Sequence, residues 1–187
     1  MSDWTQLPDN LPVPEDDGGA DHLPGLELPI VRLQGTHGHV VDLSSLSGRV
    51  VVYCYPRTGE PGAPNPDGWD EIPGARGCTP QSCAFRDHHA DLTASGVTHV
   101  FGLSTQNTDY QREVAERLHL PFPLLSDHTL DFTRAINLPT FEAGGMTLLK
   151  RITLIIEDGA IGHVFYPVFP PNQNAADVLS FCQRHPR

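Results

Sequence analysis

Arg49–Tyr55, Arg-Val-Val-Val-Tyr-Cys-Tyr, is an unbroken β-branched and aromatic run that ends at Pro56. A strand with no polar alternation has two apolar faces, so it belongs in the middle of a sheet. Thr98–Ser104 reads as a second central strand and Pro121–Leu125 as a short one. Arg151–Glu157 and Ala160–Tyr166 read as a hairpin across Asp158-Gly159, a strong two-residue turn signal. Helical spacing appears at Phe85, His89 and Leu92, with Gly96 as a stop, and over Asp109–Leu118 with Thr108 as its cap. Thr129–Ile136 reads as a short helix, and Ala175–His185 as a closing helix capped by Asn174. Leu26–Leu33 and His39–Leu43 flank a Gly-Thr-His-Gly turn and suit a peripheral hairpin, whereas Leu138–Leu149, around Gly144-Gly145, reads as a loop. Strands separated by helices, then a hairpin and a helix, predict an α/β sandwich.

Chemistry concentrates in residues 77–87, Gly-Cys-Thr-Pro-Gln-Ser-Cys-Ala-Phe-Arg-Asp. Cys78 follows a glycine at the expected start of a helix, where unpaired N–H groups and the dipole favour a thiolate. Thr79 and Pro80 suit a first helical turn, since the N–H that proline lacks has no partner there anyway. Cys83 lies about one turn further in. The pair has three open readings. One is two buried structural thiols, cysteine being among the most buried residue types. Another is a zinc site with the His88-His89 pair, although adjacent helical histidines point apart. The third is a peroxide-reducing cysteine with a nearby resolving partner. A CxxC redox motif is excluded, because the spacing is C-x4-C.

Charge narrows the partners. The net charge is −11, and residues 1–28 hold seven acids and no Lys or Arg, leaving about −4 for the rest. An acidic surface repels phosphate backbones and anionic lipid, so no nucleic acid and no membrane are expected as partners. No apolar run reaches the length of a membrane span and the N-terminus lacks a secretory pattern, so the expected compartment is the cytoplasm. Four cysteines in such a chain argue against a structural disulfide framework. Cys54 reads as a core thiol and Cys182 as a half-exposed bystander. No metal and no cofactor are implied.

Four stretches, in order, carry a family resemblance. They are Val51-Val52-Tyr53-Cys54-Tyr55-Pro56, Gly77-Cys78-Thr79 through Asp87, Leu120 through Asp127, and Arg151-Ile152-Thr153 through Gly159. Together they resemble peroxiredoxins of the bacterioferritin-comigratory-protein or PrxQ group, over roughly residues 25–185. The resemblance implies a thioredoxin-like fold with an N-terminal extension. Residues 1–24, acidic and rich in Pro and Gly with little periodicity, read as a mobile or loosely draped arm, and 25–187 as a peroxiredoxin domain with a loop insertion at 57–76.

The insertion departs from the family. In this group a Pro-x-x-x-Thr-x-x-Cys turn follows the strand, but here Pro56 and Cys78 are 22 residues apart. The intervening stretch holds four prolines and four glycines, which excludes a helix or central strand. It is expected to form a lid or rim beside Cys78, with Trp69 and Ile72 tucked against the domain. Ala75 stands where the family has its threonine, so Thr58 and Thr79 are the candidate hydroxyls.

The resemblance implies a thiol-dependent peroxidase acting on hydrogen peroxide or organic hydroperoxides. Cys78 would be the peroxidatic cysteine, Arg151 the active-site cation and Pro56 the strand-ending proline. Cys83 would resolve the sulfenic acid as an intramolecular disulfide, with a thioredoxin-type dithiol as reductant. A monomer or weak homodimer is expected. Arg76 reads as a solvated loop residue, and Arg86 with Asp87 as a local ion pair. The alternatives are a non-enzymatic redox-sensing or zinc-binding module, or a thiol–disulfide oxidoreductase. Five helical residues span about 7.5 Å along the axis, more than a disulfide tolerates at roughly 7 Å between Cα atoms. The helix carrying the pair is therefore expected to unwind on oxidation.

Overall fold

The structure, a computed structural model, describes residues 6–187. Nine strands and five helices alternate along it. The first strands are β1 (Arg32–Gly35), β2 (Val40–Asp42) and β3 (Arg49–Cys54), followed by helices α1 (Cys78–Asp87) and α2 (His89–Ala94). Next come β4 (Val97–Ser104), α3 (Thr108–Arg117), β5 (Leu124–Ser126) and α4 (Asp131–Ala135). The chain closes with β6 (Thr140–Ala143), β7 (Met146–Leu149), β8 (Ile152–Glu157), β9 (Ala160–Phe165) and α5 (Asn174–Arg184). Seven strands form one mixed sheet in the order β2-β1-β5-β4-β3-β8-β9, while β6 and β7 pair separately. This is the expected α/β sandwich.

β3 is central, as its composition requires: it runs parallel to β4 and antiparallel to β8, and all six residues are buried. Its side chains alternate between two cores. Val50, Val52 and Cys54 face Leu23, Leu33, Phe132 and Leu154, while Val51 and Tyr53 face Phe85, Val114, Val178 and Cys182. Helices α1, α2, α3 and α5 therefore cover one face. Residues 20–28, Leu43 after β2 and α4 cover the other.

Several local expectations change. The stretch 138–149 is not a loop: Gly144 and Gly145 both take positive φ and join β6 to β7 as a tight hairpin. The helix expected through Leu92 divides at His88, so α1 and α2 are separate elements. The cap of α3 is Asn107, whose side chain accepts from the Tyr110 N–H at 2.8 Å, and not Thr108. Asn174 does not cap α5 either; it lies inside the helix with its side chain buried. Cys182 is fully buried rather than half-exposed, because it shares a helical face with Val178 four residues earlier. Of the arm, residues 1–5 lie outside the described residues. The remainder is pinned down: Leu23 is buried, and Asp17 binds Lys150 Nζ at 2.6 Å and Tyr166 Oη at 2.7 Å. Among the described residues no helix is long and apolar enough to cross a membrane.

Candidate active site

Cys78 is the first residue of α1, after Gly77 at φ 111°. A Cβ at residue 77 would run into Pro171 and come within 2.8 Å of Leu7, so only glycine fits this helix start. The Cys78 thiol points back toward the Ala75 carbonyl, 3.7 Å away. Arg151, the residue before β8, reaches the sulfur from across the sheet: its Nη2 lies 3.3 Å from Cys78 Sγ. The pairing of Ile152 with Cys54 sets this approach, because it puts Arg151 level with Tyr55 at the end of the sheet where α1 begins.

Arg151 is almost wholly buried, and its surroundings are unusual for a cation. Nη2 donates to the carbonyls of Gly74, Ala75 and Arg76 at 3.1–3.2 Å, and Nη1 donates to Gln81 Oε1. None of its hydrogen-bond acceptors among the described residues is a carboxylate.

A second layer holds this arrangement. Gln81 Nε2 donates to Asn174 Oδ1 at 3.0 Å, and Thr153 Oγ1 donates to the same oxygen at 2.7 Å. That buried chain ties α1 to α5 and β8, and sequence reading missed this role for all three residues. Its only signal was Gln81 three residues after Cys78, on the same side of the helix. Tyr53 adds a further anchor by donating to Ser82 Oγ at 3.0 Å and stacking on Phe85 at 4.4 Å.

Cys83 is half-buried on α1, and burial pushes its thiol up against a smaller downward pull from Arg86. All four cysteines are free thiols. Cys54 is fully buried, as expected.

Residues of the 57–76 stretch lie beside the sulfur. Thr58, Trp69, Arg76 and Thr79 line the same narrow cleft as Cys78. The Thr58 hydroxyl, one of the two candidates, donates to Gln106 Oε1 at 3.2 Å, and Pro56 is buried at the end of β3. Trp69 is buried and Ile72 packs beside it, against Phe141, Met146 and Leu148 of the β6–β7 hairpin. Arg76 is not a solvated residue: its Nη1 donates to both Asp70 carboxylate oxygens at 2.9 and 2.8 Å. Arg86 and Asp87 do pair, at 2.9 Å. Among the described residues no group of three or more His, Cys, Asp or Glu converges as a metal site would require.

The Redoxin family model matches residues 23–179, most of the chain. The chain belongs to the Redoxin family. It is 31% identical to the chloroplastic peroxiredoxin Q of Oryza sativa subsp. japonica, over 85% of this chain and 66% of that protein. Against the chloroplastic peroxiredoxin Q of Sedum lineare it is 31% identical, over 85% of this chain and 77% of the relative. The chain thus spans about two thirds of the rice protein's length. In fold it is similar to peroxidoxin BcpB of Mycobacterium tuberculosis, with a TM-score of 0.70 and 23% identity over 88% of this chain and 99% of that one. The fold is therefore thioredoxin-like. In this Redoxin chain residues of the 57–76 stretch, among them Thr58, Trp69 and Arg76, wall the cleft at Cys78.

Proposed function

We propose that the protein is a thiol-dependent peroxidase in which Cys78 attacks the peroxide. The observation that carries this reading is the buried Arg151 guanidinium, 3.3 Å from Cys78 Sγ and with no carboxylate among its acceptors in the described residues. The reaction needs a sulfur anion and a stabilised leaving oxygen, and a fixed multidentate cation serves both. The Cys78 thiolate takes the terminal peroxide oxygen as the O–O bond breaks. Sulfur becomes a sulfenic acid, and the departing alkoxide, or hydroxide from hydrogen peroxide, takes up a proton. The N–H groups at the start of α1 and the Arg151 fork support the negative charge as it moves.

Cys83 then attacks the sulfenic sulfur, releasing water and forming the Cys78–Cys83 disulfide. A thioredoxin-type dithiol returns both to thiols and leaves as its own disulfide. Both cysteines lie on α1, so the cycle needs no second copy of the chain, which suits a monomer or weak homodimer. Thr58 and Thr79 share the cleft with Cys78 and are the hydroxyls available to orient the substrate. Pro56 holds the turn into the Thr58 wall.

The test is exposure of reduced protein to one equivalent of hydrogen peroxide, followed by thiol blocking and mapping of linked peptides by mass spectrometry. A Cys78–Cys83 link, lost in Cys78→Ser, is expected, with Cys54 and Cys182 recovered as free thiols. Cys78 stalled as sulfenic or sulfinic acid would remove Cys83 from the cycle. No oxidation at Cys78 would overturn the peroxidase reading.

A further inference from the structure

Cys78 opens onto a cleft of only about 10 Å³, lined by Thr58, Asn65, Trp69, Arg76 and Thr79 among others. That is roughly the space one water molecule needs. Resting on the peroxidase reading above, we propose that the 57–76 insertion makes the site size-selective. Hydrogen peroxide and the smallest alkyl hydroperoxides reach Cys78, and hydroperoxides carrying a ring or a long chain do not.

Size selection needs walls that resist displacement, and both walls are fixed. On one side, the Thr58 carbonyl accepts from Tyr110 Oη at 3.0 Å and Gln106 Nε2 at 3.2 Å. The Thr58 N–H donates to Gln106 Oε1 at 3.1 Å, and the next carbonyl, of Gly59, accepts from Arg117 Nη2 at 3.3 Å. On the other side, Trp69 is 5% exposed and packs with Ala75 and Leu148, its ring 6.3 Å from that of Phe141. Asp70 holds Arg76 by two hydrogen bonds, and Arg151 holds the Arg76 carbonyl at 3.2 Å. Admitting a cumyl group would break several of these contacts at once, and close-packed walls do not yield cheaply. A larger cavity of about 420 Å³ lies under the arm, lined by Val13, Pro14, Phe141, Lys150, Arg151 and Tyr166. Arg151 belongs to its lining and Cys78 does not; the sulfur opens onto the narrow cleft.

The experiment is rapid-quench measurement of Cys78 oxidation in the full chain, using hydrogen peroxide, tert-butyl hydroperoxide and cumene hydroperoxide. In the wild type, the cumene rate constant is expected to fall at least about a hundredfold below that for hydrogen peroxide, the scale of steric rejection by a fitted pocket. Trp69→Ala and Asp70→Ala should each raise the cumene-to-hydrogen-peroxide ratio about tenfold. Asp70 is exposed, so that variant keeps the test alive should Trp69→Ala fail to fold. Cumene hydroperoxide reacting within about threefold of hydrogen peroxide would overturn the size selection and leave the peroxidase intact. A ratio unmoved in a folded variant would remove the insertion as its cause. Failure of hydrogen peroxide to oxidise Cys78 would overturn the peroxidase reading and this inference with it.

Discussion

Replacing Arg151 by methionine removes the charge beside the reacting sulfur while keeping an unbranched, apolar side chain in its slot. At 3.3 Å and an effective dielectric of ~20, a full positive and a full negative charge attract by about 5 kcal/mol. Water entering the vacated space would recover part of that. The expected loss is therefore nearer that of one oxyanion donor, about 10²–10³ in the rate of Cys78 oxidation. Four acceptors lose their partner as well: the carbonyls of Gly74, Ala75 and Arg76, and Gln81 Oε1. Burying an apolar chain in place of a desolvated cation offsets some of this, so unfolding stability should drop by about 1–3 kcal/mol. Arg151→Lys keeps the charge and loses the planar fork, so its rate should fall between the two. The assay is rapid-quench alkylation against hydrogen peroxide, with urea melts to separate rate from folding. If Arg151→Met stays folded and oxidises within about threefold of wild type, the charge is not what drives the sulfur, contrary to the electrostatic argument.

Two further outcomes can be measured directly. Disulfide formation should unwind the start of α1, because Gln81, Ser82 and Phe85 are held by Asn174 and Tyr53 in the helical state and cannot keep those contacts once Cys78 and Cys83 are joined. Amide exchange in residues 78–86 should accelerate on oxidation, and unchanged protection there would refute the unwinding. The arm should loosen in acid: Asp17 is held below the ordinary carboxylate range, chiefly by its hydrogen bond with Lys150 and then by that with Tyr166. A depressed folded-state pKa means that the contribution is complete above the unfolded value, about 3.9, and fades as pH falls through the lower folded value. Asp17 is exposed, so the effect on global stability should be small. Carboxyl NMR of Asp17 should show the depressed titration, and Lys150→Ala should return it toward the ordinary range.

Local patterns were legible where the chain's own spacing decides the conformation. The apolar run of β3, the Asp158-Gly159 turn with both residues at positive φ, and the glycine before Cys78 are features of a few adjacent residues. The 140–149 hairpin was missed although Gly144-Gly145 carries the same turn chemistry, because the short strands beside it lack clear alternation. The burial of Cys182 was missed because helical phase, and not the count of apolar neighbours, decides which face turns inward. Arg76 looked solvated since nothing in the sequence says that Asp70, six residues earlier, closes back on it.

By itself the sequence determined a central strand, a thiol at a helix start and a second thiol about one turn on, since each depends on residues close together in the chain. Only the tertiary structure decided what surrounds that thiol. The antiparallel register of β8 on β3 carries Arg151 across 73 residues of chain to the sulfur. Burial of Trp69 against the β6–β7 hairpin keeps the 57–76 stretch beside the same spot. Both placements come from long-range packing, whose free energy depends on surfaces that meet only once the sheet has formed.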